Sequence, residues 1–188
     1  MKIVIINGSA RNGNTLAAIN ACIEGAKENH EIEMIQADKL NMDFCKGCGA
    51  CECYKGCIED DDTNQVVYKI VLADLVVFAS PVYWWGISAQ TKLVIDKCYC
   101  RGAQLKGKKV GVIVPGGSPL GAKQYDIIKD QFDCIVKYLG WDMVFYKPFY
   151  ANGADELQND AKAIAEMVEI GISRMSNSQL TTSALTRK

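Results

Sequence analysis

The chain has 188 residues, 49% of them apolar and 23% charged, and 21 Lys and Arg against 22 Asp and Glu give a formal net charge of −1. That length and balance describe one globular domain with a single core. They exclude a general nucleic-acid binder, which needs a concentrated basic face.

Nine cysteines are out of proportion, and five of them fall between Cys45 and Cys57. The opening MKIVIINGSARNGNT has an apolar run of only Ile3 to Ile6, too short for the apolar core of a secretory signal. No stretch approaches the ~18 apolar residues of a membrane span. The expectation is a cytoplasmic protein with no membrane contact, where disulfides rarely persist. An odd cysteine count also fits poorly with a complete disulfide framework. Clustered thiols then point to metal binding or redox chemistry.

In chain order, Lys2 to Asn7 is a β-branched run that reads as a strand buried on both faces, as in a parallel sheet. Gly8 to Asn14 is a turn-like polar loop, and Thr15 to Glu28 carries Leu16, Ile19, Ala21, Cys22, Ile23 and Ala26 at helical spacing. Glu31 to Gln36 reads as a second strand. Ala37 to Asp60 has no period; a loop of that length in a compact domain is usually functional, and it holds the cysteines. Asp60-Asp61-Asp62-Thr63 is helix-start chemistry, followed by a face of Val66, Val67, Ile70 and Val71. Leu75 to Ala79 is a buried strand, and Ser80 to Gly86 (SPVYWWG) is a loop at its carboxyl end. Ser88 to Cys100 is a helix with Ala89, Leu93, Val94 and Cys98 on one side. Lys109 to Val114 is a strand ending at Pro115-Gly116-Gly117. A helix over Tyr125 to Leu139, a fifth strand over Met143 to Tyr146 and a last helix over Ala154 to Ile172 complete the chain. His30, the sole histidine, reads as a surface residue. The tail from Ser173 has seven Ser or Thr in sixteen residues and no period.

Alternation of strands and helices predicts an α/β fold: a doubly wound five-stranded parallel sheet, order 2-1-3-4-5, with helices on both faces. Ligands of such sheets bind beyond the carboxyl ends of the strands, at the switch point. That rule brings Gly8–Thr15, Ser80–Gly86 and Pro115–Ser118 around one crevice. The first loop is neither a Walker loop nor the dinucleotide G-x-G-x-x-G. It reads as a donor-rich site for a monophosphate at a helix start, or as a polar turn with a helix cap. The aromatics of the second loop suit a flat heterocycle, or they pack under the next helix.

The sequence resembles the flavodoxin-like NADPH-dependent FMN reductases, and within them the iron–sulfur flavoprotein type. The resemblance rests on GSARNGNT at 8–15, CKGCGACECYKGC at 45–57 with the acidic run after it, SPVYWWGISAQTKLVID at 80–96 and PGG at 115–117. It covers about residues 1–170; Ala10 departs from the usual proline of the first motif. It implies non-covalent FMN, with the phosphate on Ser9, Arg11, Gly13, Asn14 and Thr15. The ring would rest on Pro81, Val82, Tyr83, Trp84 and Gly86, with Gly116 and Gly117 opposite. Residues 1–172 would form the FMN-binding domain, with the Cys-rich loop 43–60 inserted between the second strand and the following helix, and residues 173–188 a polar tail. Because hydride chemistry belongs to FMN N5, no catalytic acid or base is named.

Cys45-x₂-Cys48-x₂-Cys51 matches the first three ligands of the bacterial ferredoxin run, but the fourth spacing does not. Cys45, Cys48, Cys51 and Cys57 have the compact spacing of iron–sulfur flavoproteins and are candidate ligands of a 4Fe–4S cluster, with Cys53 the spare. Free thiols shaping a wall of the flavin site are the alternative; zinc, which favours separated C-x₂₋₄-C pairs, is a weaker one. Cys22, Cys98, Cys100 and Cys134 read as buried packing residues on helices. The leading expectation is an FMN-dependent NAD(P)H oxidoreductase passing electrons to a flavin, quinone, other small molecule or protein. An iron–sulfur flavoprotein electron carrier is the alternative, and a non-enzymatic binding module on the same fold a third. Trp85, Ile87 and an ordered tail would be odd on a lone surface, which points to a homodimer or homotetramer.

Overall fold

A computed structural model describes residues 1–28 and 30–175. Five strands form one parallel sheet: β1 (Lys2–Asn7), β2 (Glu31–Gln36), β3 (Leu75–Ala79), β6 (Lys109–Gly116) and β7 (Asp142–Tyr150), in the order β2-β1-β3-β6-β7. This is the predicted order, with β6 and β7 as its fourth and fifth strands. Between β3 and the next helix the chain inserts a two-stranded antiparallel hairpin, β4 (Val82–Tyr83) and β5 (Gly86–Ile87).

The period of two along each strand sends alternate side chains to opposite faces. Ile3 and Ile5, with Leu75, Val77 and Ile113, pack under α1 (Asn14–Ala26) and α6 (Ala161–Arg174). Val4 and Ile6, with Val76, Phe78, Val110 and Val112, pack under α3 (Thr63–Leu72), α4 (Ala89–Lys97) and α5 (Lys123–Leu139). Both faces are therefore apolar, which is why β1, β3 and β6 read as continuous hydrophobic runs. The α1–α6 pair is the closest helix contact. A Cβ on Gly25 would lie 2.1 Å from the Val168 carbonyl oxygen, and one on Gly171 2.2 Å from that of Cys22.

Several boundaries differ from the sequence reading. The fifth strand is longer, because the carboxyl halves of β6 and β7 stay paired from Gly111–Phe145 to Gly116–Tyr150 after a bulge. The helix from Ser88 ends at Lys97 and continues as a 3₁₀ segment, Cys98–Leu105. On α4 the buried positions are Thr91, Val94 and Lys97, whereas Ala89 is exposed. The last helix begins at Ala161, where the Asp160 side chain accepts from the Lys162 and Ala163 amides. A short helix, α2 (Cys51–Tyr54), forms inside the Cys-rich loop. His30 is half-buried beside the amino terminus, its Nδ1 3.2 Å from the Met1 amino nitrogen. The expected tail begins inside α6, since Met175 is fully buried; residues 176–188 lie outside those described. Among the described residues no helix is long and apolar enough to cross a membrane.

Candidate functional site

The loops after β1, β3 and β6 meet at the carboxyl edge of the sheet around a crevice of about 160 Å³. Its wall includes Ser9, Arg11, Gly13, Asn14 and Thr15 from the first loop, Pro81, Val82 and Tyr83 from the second, and Gly116 and Gly117 from the third. A fourth contribution, Ala151 to Ala154 after β7, was not anticipated. The Asn152-Gly153 dipeptide after a strand is a turn signal that could have placed it.

The first loop is fixed from both sides. Gly8 donates to the Ala79 carbonyl and accepts from the Ser88 hydroxyl at 2.7 Å, and a Cβ there would lie 1.8 Å from Thr91 Oγ1. The Asn7 side chain accepts from the Ser9 amide, and Gln36 donates to the Ser9 carbonyl. Asn14 lines the crevice, yet its amide group is committed: Nδ2 donates to the Gly153 carbonyl at 2.6 Å and Oδ1 accepts from the Leu157 amide at 2.9 Å. It therefore ties the 151–157 loop to the start of α1 and has little left to offer a ligand. No side chain caps α1 and no acidic residue lies in its first turn, which leaves its free N–H groups and positive end available to an anion. Arg11 is the sole charged side chain of the lining, and it is exposed. Gly116 lies where a Cβ would meet Val82, Gln124 and Tyr125 within 3.0 Å, so a larger residue there would force those side chains to shift.

Trp84 and Gly86 do not line the crevice. Trp84 and Trp85 form the two-residue tip of the β4–β5 hairpin, with φ of 46° and 61°, and Trp84 is 91% exposed. Both tip residues of this turn need positive φ, which favours Asn-Gly and strains a bulky side chain. Trp84→Asn with Trp85→Gly is expected to raise thermal stability by about 1–2 kcal/mol; a calorimetric scan showing a loss would mean that the indoles are packed in the native particle.

A second constellation lies at the other end of α4. Cys45, Cys48, Cys51 and Cys57 line one pocket of about 230 Å³, and Cys53 lies outside it. Gly47 and Gly49, with φ of 64° and 71°, let the loop turn between the thiols. Asn64 of α3 anchors Cys57 by accepting from its amide and donating to its carbonyl. Asp61, not Asp62, caps α3 through the Thr63 amide at 2.8 Å, whereas Asp62 accepts from the Asn41 amide. Burial would push the Asp61 carboxyl up, but hydrogen bonds from Thr63 and the Asp43 amide, with the Lys97 charge, hold it below its usual range.

Among the described residues no three metal-ligating side chains are gathered as a single ion requires. Tetrahedral zinc needs its thiolates on one centre, whereas a four-iron core takes one thiolate at each iron. Cys45, Cys48, Cys51 and Cys57 line the pocket without being gathered on one point. Cys100 also borders this pocket, a position its helical spacing did not reveal. Cys134 is exposed on the outer side of α5 and is not a packing residue, whereas Cys22, Cys98 and Cys100 are buried. Burial pushes the Cys22 and Cys98 thiols up to about 12, which keeps them protonated and poorly reactive at pH 8. Iodoacetamide on reduced, iron-free protein is expected to label Cys45, Cys48, Cys53 and Cys134 and to spare Cys22 and Cys98. Early labelling of either buried thiol in peptide mass spectra would contradict this packing.

A family model described as NADPH-dependent FMN reductase matches residues 1–129. An iron-sulfur flavoprotein of Methanocaldococcus jannaschii is 33% identical over 131 residues, 68% of this chain and 68% of that protein. An iron-sulfur flavoprotein of Methanosarcina thermophila is 34% identical over 132 residues, 68% of this chain and 69% of that one. Among solved structures, an NAD(P)H:quinone oxidoreductase from Methanothermobacter marburgensis superposes with a TM-score of 0.69, 14% identity and coverage of 92% of this chain and 98% of that one, which is a likeness of fold.

Proposed function

This chain belongs to the NADPH-dependent FMN reductase family, and on that premise we propose that it holds FMN in the crevice and passes electrons from a nicotinamide through it to a flavin, quinone or similar small acceptor. The observation that carries this reading is the convergence of an uncapped helix start, one exposed arginine and two glycines on one crevice at the switch point. FMN bound there would supply the hydride and electron-transfer chemistry. The free amides of α1, the Thr15 hydroxyl and Arg11 would hold the phosphate, with Ser9 shaping the loop through its bonds to the Arg11 backbone and Asn14 fixing the 151–157 loop beside it. Pro81, Val82 and Tyr83 form one wall for the ring, and the Gly116-Gly117 backbone faces it. No side chain is assigned a proton transfer. The FMN-binding domain expected over residues 1–172 runs on to Met175 at the end of α6, with the Cys-rich loop 43–60 as its insertion. Exposure of Trp84 and Trp85 at the rim supports a homodimer or homotetramer, which sedimentation would report.

A second reading is favoured by one specific observation: four cysteines share a pocket while the fifth of the loop lies outside it. Relatives bearing the name iron-sulfur flavoprotein support an iron–sulfur centre here, and the shared pocket is our ground for assigning Cys45, Cys48, Cys51 and Cys57 to a 4Fe–4S cluster, which would make the protein an electron carrier. Anaerobic purification with iron, sulfide and flavin analysis separates the readings. Yellow, iron-free protein that oxidises NADPH rapidly supports the reductase; about four irons per chain with slow NADPH oxidation supports the carrier. Protein that binds neither FMN nor iron would reduce the fold to a scaffold.

A further inference from the structure

Lys97 is a charged residue in the protein interior that neither reading uses. It ends α4, is 3% exposed, and borders the cysteine pocket from beneath. Its ammonium donates to the Cys57 sulfur at 3.8 Å and lies 3.5 Å from Asp61 Oδ2. Both contacts are long. Taking an ammonium out of water is repaid only by close, well-directed partners. The partner carboxylate is already engaged by the Thr63 and Asp43 amides, so its charge is shared. The other charges of the lining are occupied elsewhere or lie at the rim: Lys46 pairs with Glu59 at 3.1 Å, Asp96 with Lys92 at 2.6 Å, and Glu52 accepts from Tyr99. Lys97 is thus a buried cation whose compensation is incomplete on the side that faces the Cys57 sulfur and the cysteine pocket.

We infer that Lys97 is a positioning residue of the cysteine pocket, a buried positive charge that stabilises a net-anionic iron–sulfur core on Cys57 and raises its reduction potential. The inference rests on the cluster reading above. Adding an electron makes such a core more negative, so a fixed cation a few ångströms away favours the reduced state. Asp61 opposes this by drawing the ammonium away, and the balance between the two sets the potential.

The test uses the full chain with its FMN, loaded anaerobically with ferrous iron and sulfide, its iron counted per chain and its cluster potential followed by EPR. Lys97→Met is expected to hold the same iron but to bind the electron about tenfold more weakly, a fall of about 59 mV for a one-electron couple. Lys97→Arg is expected to restore the potential, a recovery that a purely structural role would not predict. Lys97→Gln replaces the methionine variant should that one not fold. An unchanged potential at full iron in Lys97→Met overturns the inference, as does an equal fall in Lys97→Arg. Wild-type protein that takes up no iron overturns the cluster reading and this inference together, while its FMN content leaves the reductase reading intact.

Discussion

Gly171→Ala is expected to lower the midpoint of thermal unfolding by about 5–10 °C. On an exposed helix the same change would stabilise by about 1 kcal/mol, because alanine is the better helix former. Here the added methyl would lie 2.2 Å from the Cys22 carbonyl oxygen, 3.0 Å from Gly25 Cα and 3.2 Å from the Ala26 amide. All three are backbone atoms of α1 and cannot rotate away. The helices must part, and every apolar contact between them weakens. Overpacking of this kind costs about 1–3 kcal/mol and sometimes more, which exceeds the helix-propensity gain. Gly102→Ala is the control, since a Cβ there meets nothing within 4 Å, and its melting curve is expected to overlay the parent's. A Gly171→Ala protein as stable as the parent would show that α1 and α6 are not in backbone contact.

Arg11→Ala is expected to weaken FMN binding about tenfold to a hundredfold, in line with the loss of a charge-assisted hydrogen bond of about 1.5–3 kcal/mol. Arg11 is the sole charged side chain in the crevice lining, so no neighbouring cation can replace it. The residue is exposed, which places the effect towards the lower end of that range. Riboflavin, which lacks the phosphate, is expected to bind the variant as it binds the parent. A parallel loss for both flavins in fluorescence titrations would instead show that Arg11 shapes the loop.

The centre of the sheet was legible because strands buried on both faces leave few polar positions: LVVFA at 75–79 and IVII at 3–6 admit few other readings. The crevice loops were legible for a related reason, since a doubly wound sheet fixes which loops converge. What the sequence concealed depends on tertiary partners. The β4–β5 hairpin carries Trp-Trp where hairpin chemistry expects Asn-Gly, so no turn signal marked it. Asn14 looked like a phosphate donor because its residue type fits that task; its two bonds to the 151–157 loop are visible only in three dimensions. Cys100 and Cys134 have the same side chain on comparable segments, and only packing buries one and exposes the other. Lys97 follows the same rule, since a lysine at a helix end normally reaches water, and only the Cys-rich loop folded over it keeps it inside.

Equilibrium titration of the flavin-free protein with FMN and with riboflavin, followed by flavin fluorescence, tests most directly whether the switch-point crevice is a flavin mononucleotide site. Several free amides and one guanidinium on a phosphate predict one FMN per chain, bound at least a hundredfold more tightly than riboflavin. Equal affinity for the two flavins, or binding of neither, would contradict the assignment of the crevice.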